Sequence, residues 1–409
     1  MALLPGSLTP RLQESLVRLS TWIPSFEKAA GELAFFTQVQ LSKATATRLT
    51  EAAGAAAVAV QTAEVERIER EYPTSAVQPD TLLVSADGAM VPLRGGEWAE
   101  VKTLAIGEVA PPVLEQGAAV VHTQQLSYFS RLSDSTTFAR LALAEVQRRG
   151  VEHARRVAAV MDGAVWLQGF VDLHCPEAIR ILDFPHAVEY IHAIGETQGP
   201  DGRLLSEAAV SHLAHALKHA SPTEVLDALR PLVAAHPDLP ELSTQVAYLE
   251  KRRAQLEYAQ FQAAGLPIGS GSVESAHRVV VEARLNGAGM RWAREHVNPM
   301  LALRNAVCND RWDEVWEQIE TEQRRQVRVR RRARRQQRQT PPILPRVVEA
   351  APPAPQLVSA ALPESDQQLP VPVLPKSPPA GPTPQRPAAD HPWQRAWSRR
   401  RQMEQTLAA

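Results

Sequence analysis

Three acidic residues sit where carboxylates could act together. Asp87 follows the apolar run Leu82-Leu83-Val84 and precedes Gly88. Asp162 follows Val157-Ala158-Ala159-Val160-Met161 and precedes Gly163. Glu274 lies in the first turn of a helix opened by Gly269-Ser270-Gly271-Ser272. Each alone has an ordinary explanation. Asp-Gly is a common turn dipeptide, and the helix macrodipole favours an acid in a first turn. Together, two strand-end carboxylates and one helical carboxylate can converge at the edge of a sheet. Carboxylates grouped without Cys or His ligands suit hard, oxygen-preferring cations such as Mg²⁺ or Mn²⁺. Such a site can clamp the attacking and leaving oxygens of a phosphodiester between two metals.

The elements that must position these acids are legible in outline. Leu12 to Glu71 reads as helical, broken at Pro24. Within it, Phe26 to Phe36 and Ser42 to Ala53 flank the turn Thr37 to Leu41, with Ser42 as N-cap, a spacing that resembles a helix-turn-helix. Thr81 to Val91 reads as a strand interrupted at Asp87-Gly88, and Trp98 to Val109 alternates as a half-buried strand. His122 to Leu132 is a third strand, and Thr136 to Arg149 a helix with Phe138, Leu141, Ala142 and Val146 on one face. Arg156 to Val171 reads as a strand pair or strand plus turn, Ala178 to Asp183 as a short strand, and Pro185 to Ile194 as a helix. This order describes a mixed α/β sheet with helices packed on it. Leu204 to Ala264 is helical throughout, and a last helix runs from Asn309 into an arginine run.

Composition bounds the rest. The 409 residues allow two or three domains at roughly 100–200 residues each. Cys175 and Cys308 form neither a disulfide framework nor a four-cysteine zinc site. No apolar run approaches the roughly 18 residues of a membrane span, and Met1 to Pro10 lacks a signal-peptide layout. A cytoplasmic protein is the expectation. The formal net charge of -1 conceals a segregation. Arg324, Arg325, Arg328, Arg330, Arg331, Arg332, Arg334, Arg335 and Arg338 fall in a stretch without acids, which leaves the remaining chain at about -10. As a helix, that stretch would span roughly 22 Å and carry guanidinium groups all round, a pattern suited to DNA phosphates. Of the 33 prolines, 16 lie between Pro341 and Pro392, so 341–409 reads as a disordered tail.

Several stretches resemble bacterial insertion-sequence transposases of the Kra type. They are Ser85-Ala86-Asp87-Gly88-Ala89-Met90-Val91-Pro92, Met161-Asp162-Gly163-Ala164-Val165-Trp166 and Ile181-Leu182-Asp183-Phe184-Pro185-His186-Ala187. Gly269 to Ala276 and Glu282 to Trp292 complete the set, so the resemblance runs from about Leu12 to Arg311. It implies a ribonuclease H-like catalytic fold and a DDE triad carried onto Asp87, Asp162 and Glu274. The helical block 204–264 becomes the insertion that fills the 112 positions between Asp162 and Glu274. Asp183 competes as the second aspartate. The usual ordering gives Asp162 to the metal and leaves Asp183 and His186 in support.

The implied activity is metal-dependent cleavage at the ends of an insertion sequence, followed by strand transfer into target DNA. The implied partners are double-stranded DNA and further copies of the chain, with no membrane. Many such transposases begin with a cysteine-rich zinc segment that this sequence lacks, so an inactive or truncated DNA-binding derivative is one alternative. Another ribonuclease H-like nuclease is the other. The expected divisions are an N-terminal helical region (1–75), a catalytic domain in two parts (76–200 and 265–322), the insertion (201–264), the arginine segment (323–340) and the tail (341–409).

Overall fold

A computed structural model describes residues 8–115, 118–200 and 202–339. The expected tail at 341–409 lies outside them. The first unit, Met1–Gln323, opens with three helices: α1 (Pro10–Trp22), α2 (Phe26–Thr37) and α3 (Lys43–Glu71). Ser42 caps α3 by accepting the Thr45 N–H at 3.2 Å, as its position predicts. The second helix of the expected helix-turn-helix is the start of a 29-residue helix. Its small buried residues Ala53, Ala56 and Ala57 pack in a core with α1 and with later helices.

Five strands form one sheet: β1 (Thr81–Pro92), β2 (Trp98–Val109), β3 (Thr123–Arg131), β4 (Arg156–Met161) and β5 (Ile179–Leu182). They lie in the order β3-β2-β1-β4-β5. β2 runs antiparallel to both neighbours, while β4 and β5 are parallel to β1. One expectation is corrected here. β1 is not interrupted at Asp87-Gly88, because its pairing with β2 continues unbroken from Leu82 to Pro92. Gly88 serves the strand rather than a turn: a Cβ there would collide with the Glu100 side chain.

A second expectation is corrected between 156 and 171. Only β4 is a strand, and α5 (Val165–His174) follows it after a three-residue turn. Leu167, Phe170 and Val171 recur at helical spacing, and all three are buried. α4 (Ser135–Arg148), with Asp134 as its cap, and α6 (Phe184–Glu196) complete the layers nearest the sheet.

Alternation along the strands divides the core between two faces. Leu82, Val84, Ala86, Val157, Ala159 and Met161 turn to one face and pack against α4 and α5. The other face has two covers. Leu83, Ala158, Val160 and Ile181 pack under α6 and the helical segment. That segment consists of α7 (Glu207–His219), α8 (Pro222–Ala235), α9 (Pro240–Lys251) and α10 (Tyr258–Ala263). Ala89, Val91, Val101 and Ala105 instead pack under α11 (Gly271–Ala276) and the helical turns beyond it. α11 runs into a π-helical stretch, His277–Glu282, then α12 (Ala283–Leu285).

α13 (Arg294–Cys308) ties the N-terminal helices to this body. Gly54 on α3 meets the Pro299 backbone so closely that any side chain there would clash. Two arginines fasten the C-terminal end of α1. Arg284 Nε donates to the Ser20 carbonyl at 2.9 Å, with its guanidinium against the rings of both Phe26 and Trp292. Arg304 donates to the carbonyls of Thr21, Val280 and Val279 and lies over Trp22. Both are 1% exposed; Arg304 replaces water with three carbonyls, whereas Arg284 makes one bond through Nε and its two terminal nitrogens are buried without a hydrogen-bond partner.

α14 (Trp312–Gln339) begins in the first unit with a stacked, buried pair, Trp312 and Trp316. Its remainder belongs to the second unit, Arg324–Ala409. There Arg324, Arg325, Arg328, Arg330, Arg331, Arg332, Arg334 and Arg335 are exposed, and Arg338 lies in the same helix. Among the described residues, no helix is long and apolar enough to cross a membrane.

Candidate active site

The sheet register aligns the aspartates. Val84 pairs with Ala159, and three residues further along the parallel strands stand Asp87 and Asp162. Ser85 Oγ donates to the Val160 carbonyl at 2.7 Å and carries the β1–β4 association past the last ladder pair. Met161 pairs with Leu182, so Asp183 is the next residue across from Asp162. Its N–H reaches back to the Met161 carbonyl at 2.8 Å. Alternation turns Asp87 to the same face as Leu83 and Ser85. There it stands at the seam where the helical segment ends and α11 begins.

Asp87 is the most perturbed of these acids. Its Oδ1 accepts the Gly88 N–H at 2.7 Å. Burial pushes its pKa up to about 7, the Asp162 charge adds to that, the Gly88 N–H opposes it, and Glu100 and Glu274 raise it further. About a quarter of the side chain still meets solvent (26%), so the carboxylate is ringed by protein rather than sealed. Glu274 stands in the first turn of α11, and Ser270 Oγ approaches its Oε1 at a long 3.5 Å. The three expected acids thus share one electrostatic neighbourhood.

His277 lies one turn after Glu274, with Nδ1 3.9 Å from Asp87 Oδ2. Burial drives its pKa down to about 4, against smaller opposing effects of the Asp87 carbonyl and of Glu274 and Glu100. The neutral ring therefore does not neutralise the carboxylates. Lys102, nearly buried, spends its charge on Glu100 at 2.5 Å.

Asp162 Oδ1 accepts the Ala164 N–H at 2.9 Å and so shapes the turn into α5. Gly163 sits at φ +80°, which favours glycine. Asp183 is engaged differently. Its Oδ1 accepts the Ser270 N–H at 2.7 Å and its Oδ2 accepts the His186 N–H at 3.1 Å. Both oxygens are thereby committed to backbone, one capping α6 and one fixing the loop that opens α11. Burial raises its pKa, and these two N–H groups pull it back. His186 approaches Glu189 at 3.4 Å. Burial opposes its charge, but Glu189, Asp162 and Asp183 outweigh burial and raise its pKa.

Two neighbours of the site gave no signal in the sequence. Tyr248 and Arg252, on α9 and just beyond it, hydrogen-bond the backbone carbonyls of Asp162 and Gly163. Trp292 is buried, with its Nε1 donating to the Leu285 carbonyl at 3.2 Å, and its place is in the core.

The donor set is of the right kind for a hard divalent cation: oxygen ligands, no thiol, and a carboxylate whose pKa is raised chiefly by burial and further by neighbouring acids. Among the described residues, however, no group of three or more His, Cys, Asp or Glu side chains is arrayed as a ready ligand cage. No protein-family model matches the chain, and no curated protein matches it in sequence.

Proposed function

We propose that the chain is a DDE-type DNA transposase that cleaves and joins phosphodiesters at the ends of an insertion sequence. The observation that carries this reading is the placement of Asp87 and Asp162 at matching positions on neighbouring parallel strands, with Glu274 in the first turn of α11, the helix that covers the adjoining part of the sheet. The sheet order, with only its second strand reversed, supports a ribonuclease H-like core.

Asp87, Asp162 and Glu274 would hold Mg²⁺ or Mn²⁺, whose Lewis acidity neutralises phosphate charge and lowers the pKa of the attacking oxygen. Each acid brings a different support. Asp87 is anchored in a strand paired along its length with β2, and Asp162 in a turn locked by its own side chain. Glu274 rides on a helix whose approach Asp183 fixes through Ser270. Asp183 and His186 are therefore given the supporting role and Asp162 the ligand role. Cleavage at an element end frees a 3′-OH. Attack of that hydroxyl on target DNA forms one phosphodiester as another breaks, so no organic cofactor is needed. Bringing two ends together calls for a homo-oligomer.

The arginine stretch is assigned to DNA phosphates. Replacing Arg330, Arg331, Arg334 and Arg335 with Gln should flatten the plot of log affinity against log salt by about 0.9 for each phosphate no longer neutralised. An unchanged slope counts against the assignment.

The principal test is cleavage and strand transfer with Mg²⁺ or Mn²⁺ on DNA carrying the gene's own genomic flanks. Wild type should nick and join. Asp87→Ala and Glu274→Ala should lose both activities while keeping the wild-type circular-dichroism spectrum, and Asp183→Asn should retain measurable cleavage. Full cleavage in either of the first two variants sinks the assignment. A second reading, a transposase-derived DNA-binding protein without chemistry, is favoured by the lack of a ready three-ligand array among the described residues. Salt-sensitive DNA binding without cleavage by wild type would select it.

A further inference from the structure

We propose that Tyr248 and Arg252, contributed by the helical segment, are positioning residues that hold the Asp162 turn against the sheet and so place the second carboxylate beside Asp87. The inference rests on the reading of Asp162 as a metal ligand. It gives the helical segment a part in the site that the triad alone does not.

The geometry is a clamp on consecutive peptides. Tyr248 Oη donates to the Asp162 carbonyl at 2.7 Å. Arg252 donates through one guanidinium nitrogen to the Gly163 carbonyl at 2.6 Å. Its other terminal nitrogen reaches the Tyr248 carbonyl at 3.3 Å, so the two clamp residues are tied to each other. These bonds span 86 and 89 positions of sequence, which makes them tertiary restraints rather than local turn chemistry.

The clamp is itself braced. The Arg252 guanidinium lies 3.6 Å from the centre of one face of Tyr248, and Tyr190 of α6 stacks on the other at 4.0 Å with the rings 4° from parallel. His186 meets both tyrosines edge-on. A phenol fixed on both faces has little rotamer freedom left to lose when it donates.

The clamped turn leaves no slack. A Cβ on Gly163 would lie 2.6 Å from Tyr248 Oη and 2.7 Å from Arg252 Nε. The backbone here approaches the clamp as closely as glycine permits. Removing Tyr248 Oη therefore frees the Asp162 carbonyl, and removing the Arg252 fork frees the Gly163 carbonyl. The sheet ladder, Ser85 and the core remain untouched. Groups that orient ligands in this way commonly change metal affinity by about 10–100-fold when removed.

The test compares full-length wild type with Tyr248→Phe, Arg252→Met and the conservative Arg252→Lys. Amide hydrogen exchange is measured first, with EDTA present, on the peptide covering 160–166. Mn²⁺ affinity is then measured by the paramagnetic signal of free Mn²⁺. Exchange in that peptide should rise in Tyr248→Phe and Arg252→Met and remain wild-type elsewhere in the sheet. Mn²⁺ affinity should fall about tenfold in both, with partial recovery in Arg252→Lys. Unchanged exchange in both variants overturns the clamp, whatever the metal does. Raised exchange with unchanged Mn²⁺ affinity overturns the positioning role. Raised exchange beside a wild type that binds no Mn²⁺ overturns the metal-ligand reading of Asp162, and the positioning role falls with it. If Arg252→Met unfolds, Tyr248→Phe, which loses a single oxygen, decides alone.

Discussion

The carboxylates at the seam and the arginines beneath the N-terminal helices both place charge inside one folded unit, and they are treated in opposite ways. Arg284 and Arg304 are shut away from water; Arg304 donates to carbonyls at the end of α1 and along the π-helical stretch, Arg284 donates to α1 through Nε alone, and aromatic rings cover both. Those charges hold two parts of the chain together. Asp87 is set among other acids with a neutral imidazole as neighbour, and burial first, then those acids, raise its pKa. That arrangement opposes folding and favours whatever cation or proton arrives. The difference lies in what each charge joins: the arginines donate to carbonyls far away in sequence, whereas the Asp87 carboxylate accepts from its own neighbour Gly88.

The largest effect expected from this contrast is at the arginine joint. Arg304→Met keeps most of the apolar stem but leaves three buried carbonyls without their donor. It should cost on the order of 3 kcal/mol in urea unfolding. A loss below about 1 kcal/mol, the usual net worth of one hydrogen bond, would show that the joint is not what holds α1.

Asp87→Asn should act in the other direction. A folded pKa of about 7, above the unfolded value near 3.8, means that the stability linked to Asp87 is fully present below about pH 4. It is lost as pH rises through 7. In EDTA the Asn variant should match wild type near pH 4 and exceed it by on the order of 2 kcal/mol at pH 8. It should do so while losing cleavage. A stability difference that does not change with pH would separate Asp87 from its acidic neighbours.

The smallest substitution falls on the turn between them. Gly163→Ala forces a side chain into left-handed backbone and against Tyr248 Oη and Arg252 Nε, and should cost on the order of 2 kcal/mol of stability. Cleavage should fall far more than that cost implies, since the turn carries Asp162. Proportional losses would make the turn ordinary.

Much of this is readable from residue order alone. Alternation gives the strands, Ser42 the cap of α3, and the apolar runs before Asp87 and Asp162 their place at the sheet. Asp87-Gly88 misleads because a turn dipeptide carries no mark of its partner strand, whereas an eleven-pair ladder with β2 overrides local preference. The helix α5 escapes a sequence reading because a short apolar run fits either period. Asp183 cannot be told from Asp162 by motif. What separates them is a hydrogen bond to Ser270, 87 positions away. Tyr248 and Arg252 lie in a stretch whose only sequence signal is its helical composition. The seam itself has no linear signature, since it exists only where two covers of one sheet face meet.

The contact between Gly54 and Pro299 bears on how the chain comes to be folded at all. Within this unit the N-terminal helices are synthesised before the backbone that α3 packs against, which lies some 245 residues later. The arginines that fasten α1 come equally late. Synthesis at about 5–20 residues per second leaves the Ala-rich face of α3 without its partner for on the order of ten seconds or more. Packing of α3 against α13 therefore comes late, with the helices of this unit that are made earliest waiting for it. A nascent chain interrupted before α13 exposes that face for as long as it survives.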